Sequence, residues 1–272
     1  MKLSRFIAPV ACAALLFGAV TSVQAQQPAH ASTLLGTSTR VELSCANVIT
    51  SLAWWTRVGF LPVPQADERP DSMITVSDGQ VTITLTKRSQ PSPTLVFQHP
   101  DLRSLKDSLE ALGSRLGVTV DGPSISEIRL ASPNGVHLAV RSTSREPWRP
   151  HLADSNTMCG KLTELSIGTS GDITDELIFW ERLGFAVKRE GRAPYHYALL
   201  TDGTFTIGVH DQRDIPSLSL TYFAENMADR LDVLRASGVV LTQESITAEG
   251  RTGSAIATSP DGQRMMLFSG NQ

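Results

Sequence analysis

The stretch "SLAWWTRVGF", Ser51 to Phe60, returns as "ELIFWERLGF", Glu176 to Phe185, with Trp55 and Trp180 125 positions apart. Each reads as the end of an amphipathic helix that stops at a glycine and runs into a strand. Val48, Leu52 and Trp55 stand at helical spacing, as do Ile173, Leu177 and Trp180. Asn47 and Asp172 offer side-chain caps at the helix starts, and Gly59 and Gly184 suit the left-handed residue that ends a helix. The tryptophans read as core residues where helix meets sheet, together with Trp54 and Phe179.

Four further echoes keep the same order. "VSDGQVTIT" (Val76–Thr84) matches "LTDGTFTIG" (Leu200–Gly208), and "LKDSLEALG" matches "DRLDVLRASG". "ASPNGVHLAV" matches "TSPDGQRMMLF". "VELS" (Val41–Ser44) matches "TELS" (Thr163–Ser166) if a small insertion follows around Ser170 and Gly171. The chain is therefore a duplication. Domain 1 is expected over 39–143 and domain 2 over 161–270. The polar, two-proline stretch over 144–160 links them, with Trp148 lying against one of the domains, and 26–38 is an N-terminal linker. Within each unit the halves also repeat. A strand ("RVELSCA") leads to a helix and then to a hairpin turning at Asp78-Gly79; a second strand ("PTLVFQ"), helix and strands follow, with one more strand at "VTVDG".

Residues 1–25 read as a secretory signal peptide. Lys2 and Arg5 precede a short apolar core, and Val23 and Ala25 occupy the small-residue positions before a cut. The mature chain is expected in a periplasm or secreted, free of the membrane. The formal charge is −3 for the whole chain and falls to −5 without Lys2 and Arg5. Interspersed charges of this kind give no basic face for nucleic acid. Cys45 and Cys159 remain after cleavage; in an oxidising compartment they can pair or stay as separate buried thiols, and sequence does not fix their distance.

A duplicated βαβββ pattern with these helix ends, and with the "SPNGVHLAV" and "SPDGQRMML" turns into the last strand, resembles the vicinal oxygen chelate superfamily of glyoxalases, bleomycin-resistance proteins and extradiol dioxygenases. The resemblance implies an α+β fold: two tandem glyoxalase-like domains, each of paired βαβββ modules forming a cupped mixed sheet with helices outside. It implies that the two domains pair within one monomer. It also implies a divalent metal held by His, Glu or Gln on cup-facing strands. Residue by residue, those positions fall on Arg40, Thr94 and Ala139 in the first unit and on Leu162, Ser219 and Met266 in the second. None suits a metal, so no cofactor is expected.

A register shift of one or two residues would bring in Glu42, His137 or Glu164, which share strand parity with those positions. Glu42 and Glu164 read either as ligand contacts, the latter repeating the former, or as structural partners, Glu42 of Arg40. Tyr195 and Tyr197, on one face of "PYHYALL", suit an aromatic-lined cup or an ordinary half-exposed strand. His137 reads either as a cup-facing ligand contact or base or as a half-buried strand residue, and His210 as an exposed residue in a charged loop. The leading expectation is a metal-free protein that sequesters a small ligand, aromatic or cationic if Glu42 and Glu164 face the cup. The alternatives are a metal-dependent lyase, isomerase or dioxygenase with non-standard ligands, and a structural module whose cups are filled by side chains.

Overall fold

The structure, a computed structural model, describes residues 33–63, 69, 71–143, 158–216 and 218–270. The signal peptide, Trp148 and the linker over 144–157 lie outside them. The first domain runs β1 (Thr37–Ser44), α1 (Val48–Arg57), β2 (Leu61–Pro62), β3 (Met73–Ser77), β4 (Thr82–Thr86), β5 (Thr94–His99), α2 (Leu102–Ala111), β6 (Gly117–Asp121), β7 (Ser124–Ala131) and β8 (His137–Ser142). The second runs β9 (Lys161–Gly168), α3 (Thr174–Arg182), β10 (Ala186–Gly191), β11 (Tyr197–Thr201), β12 (Thr206–His210), β13 (Ser219–Ala224), α4 (Met227–Ala236), β14 (Leu241–Ile246), β15 (Thr252–Thr258) and β16 (Arg264–Ser269).

Each domain is one eight-stranded mixed sheet, ordered β2-β3-β4-β1-β5-β8-β7-β6 and β10-β11-β12-β9-β13-β16-β15-β14. Two βαβββ modules meet where their first strands pair antiparallel, β1 with β5 and β9 with β13. The α+β tandem architecture expected from the repeats is present. Strand alternation then divides the residues. Val41, Leu43, Leu95 and Phe97 point to the helix-covered core, while Arg40, Glu42, Thr94 and Val96 point to the opposite, cup face.

The helix ends follow the chemistry of the repeats. Asn47 accepts from the backbone N–H of Ile49 and Thr50, and Asp101 does the same for Arg103 and Ser104. Asp172 acts one residue further out than expected: Ile173 takes the cap position, and Asp172 receives the N–H and hydroxyl of Thr174. Trp55 and Trp180 are fully buried and pack edge-on against Phe60 and Phe185, at 4.7 and 4.9 Å between ring centroids. β1 begins two residues before the expected start of the domain, and Leu35 ahead of it is fully buried, so the end of the supposed N-terminal linker belongs to the fold.

The domains share one apolar core, with Phe97 edge-on to Phe185 across the join. Their polar contacts are reciprocal. Glu176, on α3, accepts from the backbone and side-chain N–H of Asn134, in the turn before β8, at 2.9 and 3.0 Å. At the matching places of the repeat, Ser51 on α1 donates to Asp261 in the turn before β16. The two Asp-Gly hairpin turns also cross over: Tyr222 donates to Asp78 at 2.7 Å, and Ser38 donates to Asp202. Cys45 and Cys159 are separate buried thiols, donating to the carbonyls of Leu43 and Val58 respectively.

Candidate functional site

The first cup is built on a ladder of charge. Arg141, from β8, grips Glu42 with two parallel bonds, Nη1 to Oε1 at 2.6 Å and Nη2 to Oε2 at 2.8 Å. Arg40, two residues back on the strand, donates to Oε1 of the same carboxylate through Nε at 3.1 Å and Nη2 at 3.0 Å, and Gln90 donates to Oε2 at 3.1 Å. Arg141 also bonds Glu127, which Arg129 holds at 2.5 Å. Glu42 is buried, which pushes its carboxyl up. The charges of Arg141 and Arg40, with the hydrogen bonds from Arg141 and Gln90, outweigh that and hold it at about 2. A paired, hydrogen-bonded carboxylate is the form in which a buried charge is tolerated. Over the ladder opens a cavity of about 940 Å³ lined by Met73, Arg88, Gln90, Glu127, Arg129 and Arg141, among others.

The second cup has a different lining. Glu164, from β9, meets His210, the last residue of β12, at 2.6 Å between Oε1 and Nε2. Ser166 donates to the same Oε1 at 2.6 Å; its only proton is thereby used, so Thr221, 2.6 Å away, donates to it. The carboxylate lies across Gly208, where a Cβ would stand 2.5 Å from it. Tyr197 stacks on the His210 ring at 6.2 Å between centroids, and Tyr195 meets that ring edge-on at 5.8 Å. Gly191 leaves room for the Tyr197 ring in the same manner, a Cβ there standing 2.6 Å from it. Burial pushes the Tyr195 phenol up, and the nearby charge of Glu164 adds to this.

His210 is therefore no exposed loop residue. It is buried, because "TFTIGVH" alternates Ile207 and Val209 into the core with Thr206, Gly208 and His210 into the cup. Arg141, Glu127 and Arg129 were also missed, although the alternation of "SEIRLA" and "VHLAVRS" carries the same signal. His137 stands at the far end of β8 from Arg141 and lines a groove of about 290 Å³ between the domains, with Pro93, Leu218 and Arg264. It does not join Glu42.

Strand register also corrects the repeat alignment. Val41 pairs with Leu95 and Ile83, and Leu165 pairs with Leu220 and Ile207. Val41 thus corresponds to Leu165, Glu42 to Ser166, and Arg40 to Glu164. "VELS" aligns with "LSIG", and the recurrence of a glutamate in "TELS" is a coincidence of sequence. Both glutamates face their cups, two residues apart in the shared frame. Leu162 faces away, because the irregularity at Thr163 sets it opposite Tyr222 on the core side.

No family model and no curated protein matches this chain. Solved structures do. The 2,3-dioxygenase LapB from Pseudomonas sp. KL28 is 14% identical, with 90% of this chain and 94% of that one aligned at a TM-score of 0.58. The Mn(II)-bound glyoxalase from Novosphingobium aromaticivorans is 18% identical, covering 85% of this chain and 81% of that one, with a TM-score of 0.54. A variant of homoprotocatechuate 2,3-dioxygenase from Brevibacterium fuscum is 15% identical over 90% of this chain and 74% of that one, with a TM-score of 0.58. The chain has the vicinal oxygen chelate fold.

That fold implies a metal in the cup, and the described residues do not fit one. In the first cup the relevant strands set Arg40, Val96 and Ala139 in one row, and the nearest carboxylate is committed to two guanidinium groups. In the second cup the row is Glu164, Thr221 and Met266, since register puts Thr221, not Ser219, level with Met266. With His210 this makes one carboxylate and one imidazole beside a hydroxyl and a thioether. A catalytic metal of this kind takes three protein ligands. Among the described residues no three His, Cys, Asp or Glu side chains converge to supply them.

Proposed function

We propose that this vicinal oxygen chelate protein is exported and binds a small molecule by holding it, without metal chemistry. The observation that carries the reading is the clamp on Glu42: two arginines occupy the carboxylate that a cation in the first cup would need. The cavity above the clamp leaves room for a ligand. Arg88, Arg129 and Arg141 line that cavity, and their guanidinium groups suit an anionic ligand such as a carboxylate. Glu42 faces the cup as its parity requires, but its charge is spent, so the expectation of a cationic ligand does not extend to this domain. Export rests on Lys2, Arg5, the apolar run and the Val23–Ala25 cleavage pattern. Reciprocal contacts of the two repeats support a monomer, their pairing taking the place of a dimer.

The test is a thermal-shift screen with periplasmic metabolites and antibiotics, beside metal analysis of protein purified without chelators. A ligand at a hundred times its Kd stabilises the folded state by about 2.7 kcal/mol. One tightly held divalent ion per domain overturns the reading. It would favour the second one, a metal-dependent enzyme with non-standard ligands, for which the Glu164–His210 pair is the supporting observation.

A further inference from the structure

We propose that the cup of the second domain binds a small organic cation bearing N–H donors, an amidinium, guanidinium or primary ammonium, with Glu164 as its counter-ion. This rests on the binding-protein reading and names the ligand class for one cup. Glu164 is 4% exposed; His210 and Ser166 saturate its Oε1, while Oε2 is buried with no hydrogen-bond partner. A carboxylate oxygen left so is costly unless a donor meets it. Nδ1 of His210 is likewise buried and unpartnered. Glu164 can only accept, so His210 donates through Nε2, and in the neutral ring Nδ1 is then an acceptor as well. Two buried acceptors in one cluster call for a ligand that brings donors.

The repeat supplies an internal comparison. In the first cup the carboxylate is neutralised by the guanidinium of Arg141, from β8. Register makes Phe268 the equivalent of Arg141, and Met266 the equivalent of Ala139. The second cup thus holds a carboxylate of its own, two positions along in the shared frame, and has a phenyl ring where the facing strand of the first cup has its cation. The half-buried apolar side chains of Met266, Ile256 and Phe268 stand on the same cup face, with Tyr195 beside His210, while the Tyr197 ring carries His210 stacked at 6.2 Å and the Arg189 guanidinium 5.8 Å from its centroid. Apolar side chains about one fixed charge, with an aromatic ring beside it, recognise an organic cation through charge-assisted hydrogen bonds and cation–π attraction.

Calorimetric titration with benzamidinium, and with its neutral isostere benzamide, tests this. Benzamidinium is expected to bind saturably, with benzamide weaker by about tenfold or more. Glu164→Gln is expected to lose that preference, and Tyr197→Ala, at a half-exposed position, to weaken binding with the fold intact by circular dichroism. Equal affinity for the two probes, or unchanged benzamidinium affinity in Glu164→Gln, overturns the proposal. So does the absence of saturable binding. A Mn²⁺ titration separates the two levels of inference. Stoichiometric Mn²⁺ that displaces benzamidinium removes the binding-protein reading as well, whereas a different ligand found by the screen, unaffected by Glu164→Gln, removes the cation proposal alone.

Discussion

Glu164 and His210 meet at 2.6 Å over the bare Cα of Gly208, on strands that sequence separates by 46 positions. The missing side chain is what lets the carboxylate lie flat against the sheet. Gly208→Ala would place a methyl 2.5 Å from that carboxylate. The expected result is loss of the Glu164–His210 contact and a destabilisation of about 1–3 kcal/mol, measured by urea denaturation. An alanine variant as stable as the parent, with the His210 ring resonances unmoved in NMR, would show that the carboxylate is not confined there.

Glu176 is fully buried and accepts from three N–H donors, two of Asn134 across the domain join and the indole N–H of Trp180 on its own helix at 2.8 Å. Glu176→Ala leaves all three without their acceptor and is expected to cost about 3 kcal/mol. Tryptophan fluorescence during denaturation should show the loss. A double cycle with Asn134→Ala should show coupling between the two sites, and additive effects would mean that the contact is not made.

Acid should weaken the fold through the first cup. Glu42 titrates at about 2 when folded, against 4.5 when unfolded, so the folded state binds its proton less readily. The stabilisation is complete above 4.5, is lost as pH falls towards 2, and is worth about 3 kcal/mol at neutral pH. Glu127, lowered by Arg129 and Arg141 against its burial, acts in the same direction. Asp78 opposes them: burial raises its folded value, so its protonation in acid favours the native state. The measurement is unfolding free energy against pH. Its acid limb should be shallower in Glu42→Gln than in the parent, whatever the variant's stability at pH 7.

The buried thiols should be inert. Burial pushes Cys45 up to about 12, and Cys159 is fully buried. Ellman's reagent is expected to leave both unmodified in the native mature protein at pH 8 and to react with both in denaturant. A reducing agent should not change the melting temperature. A drop on reduction would show that the two cysteines are linked in the exported protein.

The elements and the duplication were legible because they are local. Helical spacing around Trp55 and Trp180, Asn47 ahead of the first helix, and Asp78-Gly79 between alternating runs each act within a few residues. Strand parity likewise sent Glu42 and Glu164 to cup faces, and the same parity in "SEIRLA", "VHLAVRS" and "TFTIGVH" held Arg129, Arg141 and His210 unread.

What parity cannot supply is the sideways pairing of strands, which depends on hydrogen bonds between segments far apart in the chain. A slip of two residues keeps every side chain on its face while changing all its neighbours, so the resemblance of "VELS" to "TELS" hid the true match of Glu42 with Ser166. The irregularity at Thr163 changed the face of Leu162 as well. By itself the sequence determined two βαβββ pairs and the kinds of side chain each could offer a cup. Only tertiary register decided that one carboxylate would be closed by two arginines and the other left with an unpartnered oxygen, because that difference is set by which residue stands across the sheet.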